Sequence, residues 1–81
     1  MSELHQSWGK RIRNRRTDLG MTQVRLAELV EVRQASISRV ERGDQVPSDA
    51  LKWRLAGALG CTIDDLFPNP AIRPPFPEKV A

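Results

Sequence analysis

Three polar side chains between residues 34 and 39 have the chemistry to read base edges. Gln34, Ser38 and Arg39 point outward together when the segment QASISRVER is wound as a helix, because positions about one turn apart share a side. A Gln amide grips adenine with a donor and an acceptor, and an Arg guanidinium forks onto guanine. The segment therefore predicts a helix with a face suited to nucleic acid.

The other side of this segment and the residues before it indicate what holds that face in place. Ile37 and Val40, with either Ala35 or Ser36, approach the body of the domain. Upstream, residues 22–30 form another helical pattern, which Thr22 can cap by accepting an orphan backbone N–H. The expected core face of this helix comprises Val24, Leu26, Ala27, Leu29 and Val30.

A short polar break separates the two helical patterns. Val32 is expected to enter the core there, while Arg33 and Gln34 open the second helix. Two short helices about a tight break are typical of a helix-turn-helix, in which one helix braces across a nucleic-acid backbone and the next enters the major groove. Residues 22–43 thus predict a sequence-specific DNA binder, and a helical hairpin that merely packs is the structural alternative.

A further helix is expected before this unit. It spans residues near Ser7 to Leu19, with Trp8, Ile12 and Leu19 on one face and Lys and Arg on the others. Gly20 supplies the stop, because glycine readily adopts the left-handed conformation that ends helices.

Two more helices are expected after the unit. Ser48 caps the fourth, whose apolar residues are Leu51, Trp53, Leu55, Ala56 and Leu59, and Gly60 ends it. Thr62 caps a short fifth helix, with Asp64 and Asp65 near its positive end and with Leu66 and Phe67 turned inward. We expect one domain over residues 1–67, because a chain of 81 residues has room for one small core.

The composition changes from Pro68 onward. Five prolines within residues 68–77 forbid a regular helix and favour an extended tail over residues 68–81. Pro74, Pro75 and Pro77 could dock in an aromatic groove of a protein partner, and Ile72 and Phe76 could pack on the bundle or on a partner subunit. A plain flexible end is the alternative.

Charge is distributed unevenly between the two halves of the chain. Residues 1–42 carry nine Lys or Arg against five Asp or Glu, whereas residues 43–81 carry four against five, for a net charge of +3. A positive field around the helix-turn-helix unit would steer it toward phosphates and make binding depend on salt.

The ordered segments RIRNRRTDLGMTQ, LAELV, QASISRVERG, VPSDAL and LAGALGCTIDDLF resemble the phage-repressor and Cro-like family, also called lambda-repressor-like or XRE-type, over residues 8–67. The resemblance implies an all-α domain of five helices with the recognition helix third. It implies transcriptional control by operator binding as a homodimer on double-stranded DNA. Two positions depart from the family pattern: Glu31 replaces a Gly in the turn, and Arg33 replaces a Ser or Thr cap.

The resemblance also implies roles for individual residues. Base contacts fall to Gln34, Ala35, Ser38 and Arg39. The resemblance implies that Gln23 contacts phosphate and braces the recognition helix. Together with Gln23, the expected phosphate-contacting residues are Thr22, Arg33, Arg42 and Gln45, and Arg33 is included for its positive charge. Arg16 and Glu41 match a structural ion pair between helix one and the end of helix three. For the dimer, the suspected residues are Ile63, Leu66 and Phe67.

Other chemistry is sparse, so we expect no enzyme, cofactor or metal site. His5 is the only histidine and lies in what is expected to be a mobile start of the chain, and Cys61 is the only cysteine. We expect Cys61 to be a small residue at the core edge, with a redox-sensing thiol as the alternative. No apolar run is long enough to cross a membrane, and a cytoplasmic protein is expected.

Two functional classes remain open from the sequence. The first is a small repressor or dual regulator. The second is a protein-interaction module on the same scaffold, such as an antitoxin or an antirepressor partner that uses a helical face or the tail.

Overall fold

The computed structural model describes residues 3–68, which form five helices and no strand. The helices are α1 (Glu3–Asp18), α2 (Gln23–Val30), α3 (Gln34–Arg42), α4 (Asp49–Leu59) and α5 (Ile63–Leu66). The predicted all-α, five-helix architecture is confirmed. The predicted roles of Ile72, Phe76 and the prolines of the tail fall on residues 69–81, outside the described range.

The first helix begins earlier than predicted. It starts at Glu3, four residues before Ser7, so His5 lies on α1 with its ring 5.1 Å from the ring of Trp8. The predicted stop is confirmed: Gly20 has φ +69°, and its N–H donates to the Thr17 carbonyl at 2.9 Å. The helix therefore ends at a glycine whose N–H satisfies the carbonyl of Thr17.

The three predicted N-caps are confirmed. Thr22, Ser48 and Thr62 each accept a hydrogen bond from the backbone N–H three residues later. In α5 the bond is reciprocal, because the Asp65 carboxylate also accepts from the Thr62 N–H at 3.0 Å. The hydrogen bond with the Thr62 backbone is the largest cause that lowers the pKa of Asp65 below its ordinary value, and the bond with the Thr62 side chain is the second largest.

The turn between α2 and α3 has two unusual residues. Glu31 ends α2 with φ 63°, the left-handed region that a residue with a Cβ adopts at a cost. Arg33 occupies the N-cap of α3 and makes no side-chain capping bond. Val32 is partly buried against the core, as the sequence predicts.

The core is built from one face of each helix. Its buried apolar residues are Trp8, Ile12, Leu26, Ala27, Val30, Ile37, Val40, Leu51, Leu55, Ala56, Leu59, Leu66 and Phe67. Four predicted core residues are instead exposed, and for these the prediction was wrong: Leu19, Val24, Leu29 and Trp53. On the short helices α2 and α4 the buried stripe is narrow, and Leu19 lies in the turn that ends α1.

The suspected dimer residues lie mostly inside the monomer. Leu66 is 2% exposed and Phe67 is 5% exposed, and the Phe67 ring packs edge-on against Trp8 at 5.4 Å. Ile63 is partly buried against the same core. Leu66 and Phe67 are thus used to close the fold, which corrects the expectation that they mediate dimerisation.

Two glycines let α1 approach the end of α3 closely. A Cβ on Gly9 would overlap the backbone carbonyl of Glu41, and a Cβ on Gly43 would lie 2.9 Å from the Gln6 side chain. Gly43 also has φ +81°, so it ends α3 in the left-handed conformation. This backbone contact holds the end of α3 in place against α1. Among residues 3–68, no helix is long and apolar enough to cross a bilayer.

Candidate nucleic-acid interface

The third helix has one buried and one exposed face. Ile37 and Val40 are 0% and 2% exposed, and they anchor the helix in the core. Ser36 is half-buried and Ala35 is exposed, so Ser36 is the small residue that approaches the body of the domain. The outer row comprises the exposed residues Gln34, Ala35 and Arg39 and the half-buried Ser38.

A chain of hydrogen bonds orients the first residue of this row. The Gln34 amide nitrogen donates to the Gln23 side-chain oxygen at 2.8 Å. The Gln23 amide nitrogen in turn donates to Glu41 Oε1 at 2.9 Å. Because a carboxylate only accepts, it fixes which end of the Gln23 amide faces Gln34. Gln34 keeps its oxygen and its second N–H for a ligand.

Glu41 lies at the centre of this network and is buried. Its side chain is 0% exposed, and Arg16 donates to both of its oxygens, at 2.7 and 3.0 Å. Arg16 also donates to the Met21 carbonyl at 2.8 Å. The side-chain hydrogen bond with Glu41 raises the pKa of Arg16 above its ordinary value, and this outweighs the lowering by burial. The pair ties α1 to the end of α3.

The far end of the row has its own contacts. Arg42 Nη1 donates to the Ser38 hydroxyl at 2.7 Å, and Arg42 Nε lies 3.0 Å from an Asp44 carboxylate oxygen. The Ser38 hydroxyl hydrogen stays available because its oxygen is the acceptor in that bond. Arg39 takes part in no ion pair among residues 3–68, so the alternative of a surface pair with a neighbouring Glu is not observed there.

The candidate phosphate-contacting residues lie around this row. Thr22 and Arg33 are the exposed N-cap residues of α2 and α3, where backbone N–H groups favour anions. Gln23 is half-buried and bonded to Gln34, whereas Gln45 is half-buried in the loop after α3. The structure therefore brings the N-terminal ends of α2 and α3 together and places Arg42 and Gln45 at the other end.

Sequence reasoning missed two features of this site. Gly9 was not singled out, although a glycine within a helix of long basic side chains is a signal of close backbone approach. Arg13 was treated only as part of a basic helix face, yet its Nε lies 3.8 Å from Glu41 Oε1. No local pattern reveals that contact, because the two residues are on different helices.

The Cys61 thiol and the grouping of potential metal ligands bear on catalytic and redox chemistry. Burial is the main cause that raises the pKa of the Cys61 thiol, so the reactive thiolate is disfavoured. Cys61 lies partly buried at the core edge, as predicted. Within residues 3–68 no group of three or more His, Cys, Asp or Glu could hold a metal ion.

Comparison with known proteins agrees with this geometry. The family model described as helix-turn-helix matches residues 12–66. An HTH-type transcriptional regulator of Methanothermobacter thermautotrophicus is 46% identical over 57 residues, which cover 69% of this chain and 83% of that protein.

Two solved structures are similar in both fold and sequence. The P22 c2 repressor, solved in complex with a synthetic operator, is 36% identical with a TM-score of 0.73, covering 75% of this chain and 92% of that one. The restriction-modification controller protein C.AhdI of Aeromonas hydrophila is 33% identical with a TM-score of 0.76, covering 83% and 100%.

Proposed function

This chain belongs to the helix-turn-helix family of DNA-binding transcriptional regulators, which are not enzymes, and we propose that it is a repressor that reads an operator with α3. The observation that carries the proposal is the outer row of α3, whose polar atoms face outward while Ile37 and Val40 anchor the helix. The similarity to the P22 c2 repressor, whose structure was solved in complex with an operator, supports repression over activation. A repressor acts by occupying a site that polymerase needs.

Gln34 reads adenine in this proposal. Its side-chain oxygen accepts from the adenine N6 amino group, and its second N–H donates to N7. The bond to Gln23 at 2.8 Å consumes only the first N–H, so both groups needed for this pairing stay available. Because the bond to Gln23 already orients the Gln34 amide, this side chain loses less rotamer freedom on binding than an unbonded one would.

The other three residues of the row complete the base contacts. Arg39, without an ion pair among the described residues, forks onto guanine. Ala35 packs against a thymine methyl group, and the Ser38 hydroxyl donates to a base acceptor. Because one row covers only a few base pairs, we propose that a homodimer binds two half-sites about one helical turn apart.

Phosphate contacts from both ends of the row set its register on the duplex. We assign them to Thr22, Gln23, Arg33, Arg42 and Gln45. Such contacts position the protein without reading sequence. Arg16 and Glu41 contribute indirectly, by holding Gln23 and the end of α3 in position. A cytoplasmic location follows from the proposal, since the regulator must share a compartment with the DNA.

Selection of binding sites from a random DNA pool tests this proposal. We expect an enriched site with two-fold symmetry and half-site centres about 10 base pairs apart or a multiple of that spacing. A reporter gene placed downstream of the selected site should be expressed less when the protein is present. Recovery of no preferred sequence would contradict operator reading, and raised reporter expression would contradict repression.

A further inference from the structure

A cationic groove runs between α1 and the end of α3, beside the outer row of α3. Its volume is about 450 Å³, and it is lined by Gln6, Lys10, Arg13, Glu41, Arg42 and Asp44. Lys10 and Arg13 are three residues apart, so they share a face of α1. We call these two residues the α1 cation pair. None of the roles assigned above uses them.

The acidic residues of the groove are already neutralised. Glu41 is buried and accepts both of its short ionic hydrogen bonds from Arg16. Asp44 pairs with Arg42 at 3.0 Å. The α1 cation pair is therefore the unneutralised charge of the groove. The Arg13 side chain is 51% exposed and reaches Glu41 only at 3.8 Å, and Lys10 is exposed with no ion pair among residues 3–68.

The groove adjoins the outer row of α3. Arg13 and Gln23 approach the same Glu41 oxygen, at 3.8 and 2.9 Å. Arg42, which also lines the groove, donates a hydrogen bond to Ser38 of the outer row. A duplex that touches Gln23 and Arg42 would therefore lie beside the groove, because Arg42 lines it and Gln23 shares a Glu41 oxygen with Arg13.

We propose that the α1 cation pair binds backbone phosphates of the operator outside the base pairs that α3 reads. This inference rests on the proposed function, because it takes the docking of α3 from it. The two side chains can contact neighbouring phosphates, because Cβ atoms three positions apart on a helix are about 5–6 Å from each other and both side chains are long and exposed. The pair thereby lengthens the footprint without adding base specificity.

Salt dependence of binding on duplexes of two lengths tests the inference. Lys10→Ala with Arg13→Ala should lower the slope of log affinity against log salt by about 1.8 for each bound protomer, or about 3.6 for the proposed homodimer, since each phosphate contact contributes about 0.9. Between 50 and 200 mM salt, the wild type should then lose more affinity than the double variant by about tenfold for each bound protomer, which is about 100-fold for the homodimer. On a duplex trimmed to the base pairs under α3, the two proteins should have equal slopes.

Two further variants control for charge and folding. Arg54→Ala removes an exposed cation from α4, away from the groove, and should leave the slope unchanged. Arg13→Lys should keep the wild-type slope because it keeps the charge. Thermal unfolding of each variant should match the wild type, since Lys10 and Arg13 are both exposed.

The outcomes separate this inference from the proposed function. The slopes are also measured on a long duplex of unrelated sequence, so they can be read even if no operator is selected. Absence of a selected sequence together with a lower slope for the double variant would contradict only the operator proposal. Equal slopes for the wild type and the double variant on every long duplex would overturn the role of the α1 cation pair.

Discussion

Removing the Glu41 carboxylate should destabilise the domain more than any surface substitution. In Glu41→Ala, Arg16 keeps a charge on a side chain only 11% exposed, and Gln23 loses its acceptor. Breaking a buried pair by removing one partner costs about 3–5 kcal/mol. A chain of 81 residues has a free energy of unfolding of about 4–12 kcal/mol, so the variant retains little stability.

Urea unfolding followed by circular dichroism measures this loss by linear extrapolation. Glu28→Ala is the matched control, because Glu28 and its partner Arg25 are about 60% exposed, and such a pair contributes about 0.3–0.5 kcal/mol. The double variant Arg16→Met with Glu41→Leu should lose less than Glu41→Ala, since it strands no charge. A loss in Glu41→Ala as small as that in Glu28→Ala would refute the buried network.

Three further predictions concern the fold. Glu31→Gly should raise the free energy of unfolding by about 1 kcal/mol, because glycine adopts the φ of 63° without strain; an unchanged urea midpoint would contradict this. Gly9→Ala should lower the free energy of unfolding by about 1–3 kcal/mol, because the new Cβ overlaps the Glu41 carbonyl. Gly57→Ala is the control and should not lower it, because open space surrounds Gly57. The lowered pKa of Asp65 gives stability that is present above its unfolded value near 3.8 and lost as pH falls below it. Asp65→Asn should therefore show a smaller acid loss in thermal melts, and an identical pH profile would argue against the capping carboxylate.

Helix limits could be predicted from the sequence wherever the signal is local. Thr22, Ser48 and Thr62 cap helices through hydrogen bonds that span three residues, and Gly20 and Gly60 end helices through their own backbone freedom. Short-range sterics and hydrogen bonding decide these positions. The start of α1 was predicted too late because the expected helix was begun next to its first core residue, Trp8, whereas α1 begins at Glu3.

Whether an apolar residue is buried or exposed could be predicted less well. Trp53 is 70% exposed although it belongs to a helical pattern of apolar residues, and Phe67 is buried although it was suspected at an interface. The sequence shows hydrophobicity but not which neighbouring helix covers a face. The Gln34–Gln23–Glu41 chain was likewise out of reach, because it joins residues up to eighteen positions apart through the packing of α2 on α3.

Comparison of Arg39→Ala with Arg42→Ala on the selected operator and its single base-pair substitutions tests the central claim most directly. If the outer row of α3 reads bases, Arg39→Ala loses discrimination worth about 1–3 kcal/mol at one base pair and keeps it elsewhere. Arg42→Ala should weaken binding to all sequences alike and lower the salt slope by about one unit for each bound protomer. Equal weakening of every sequence by Arg39→Ala would contradict the account.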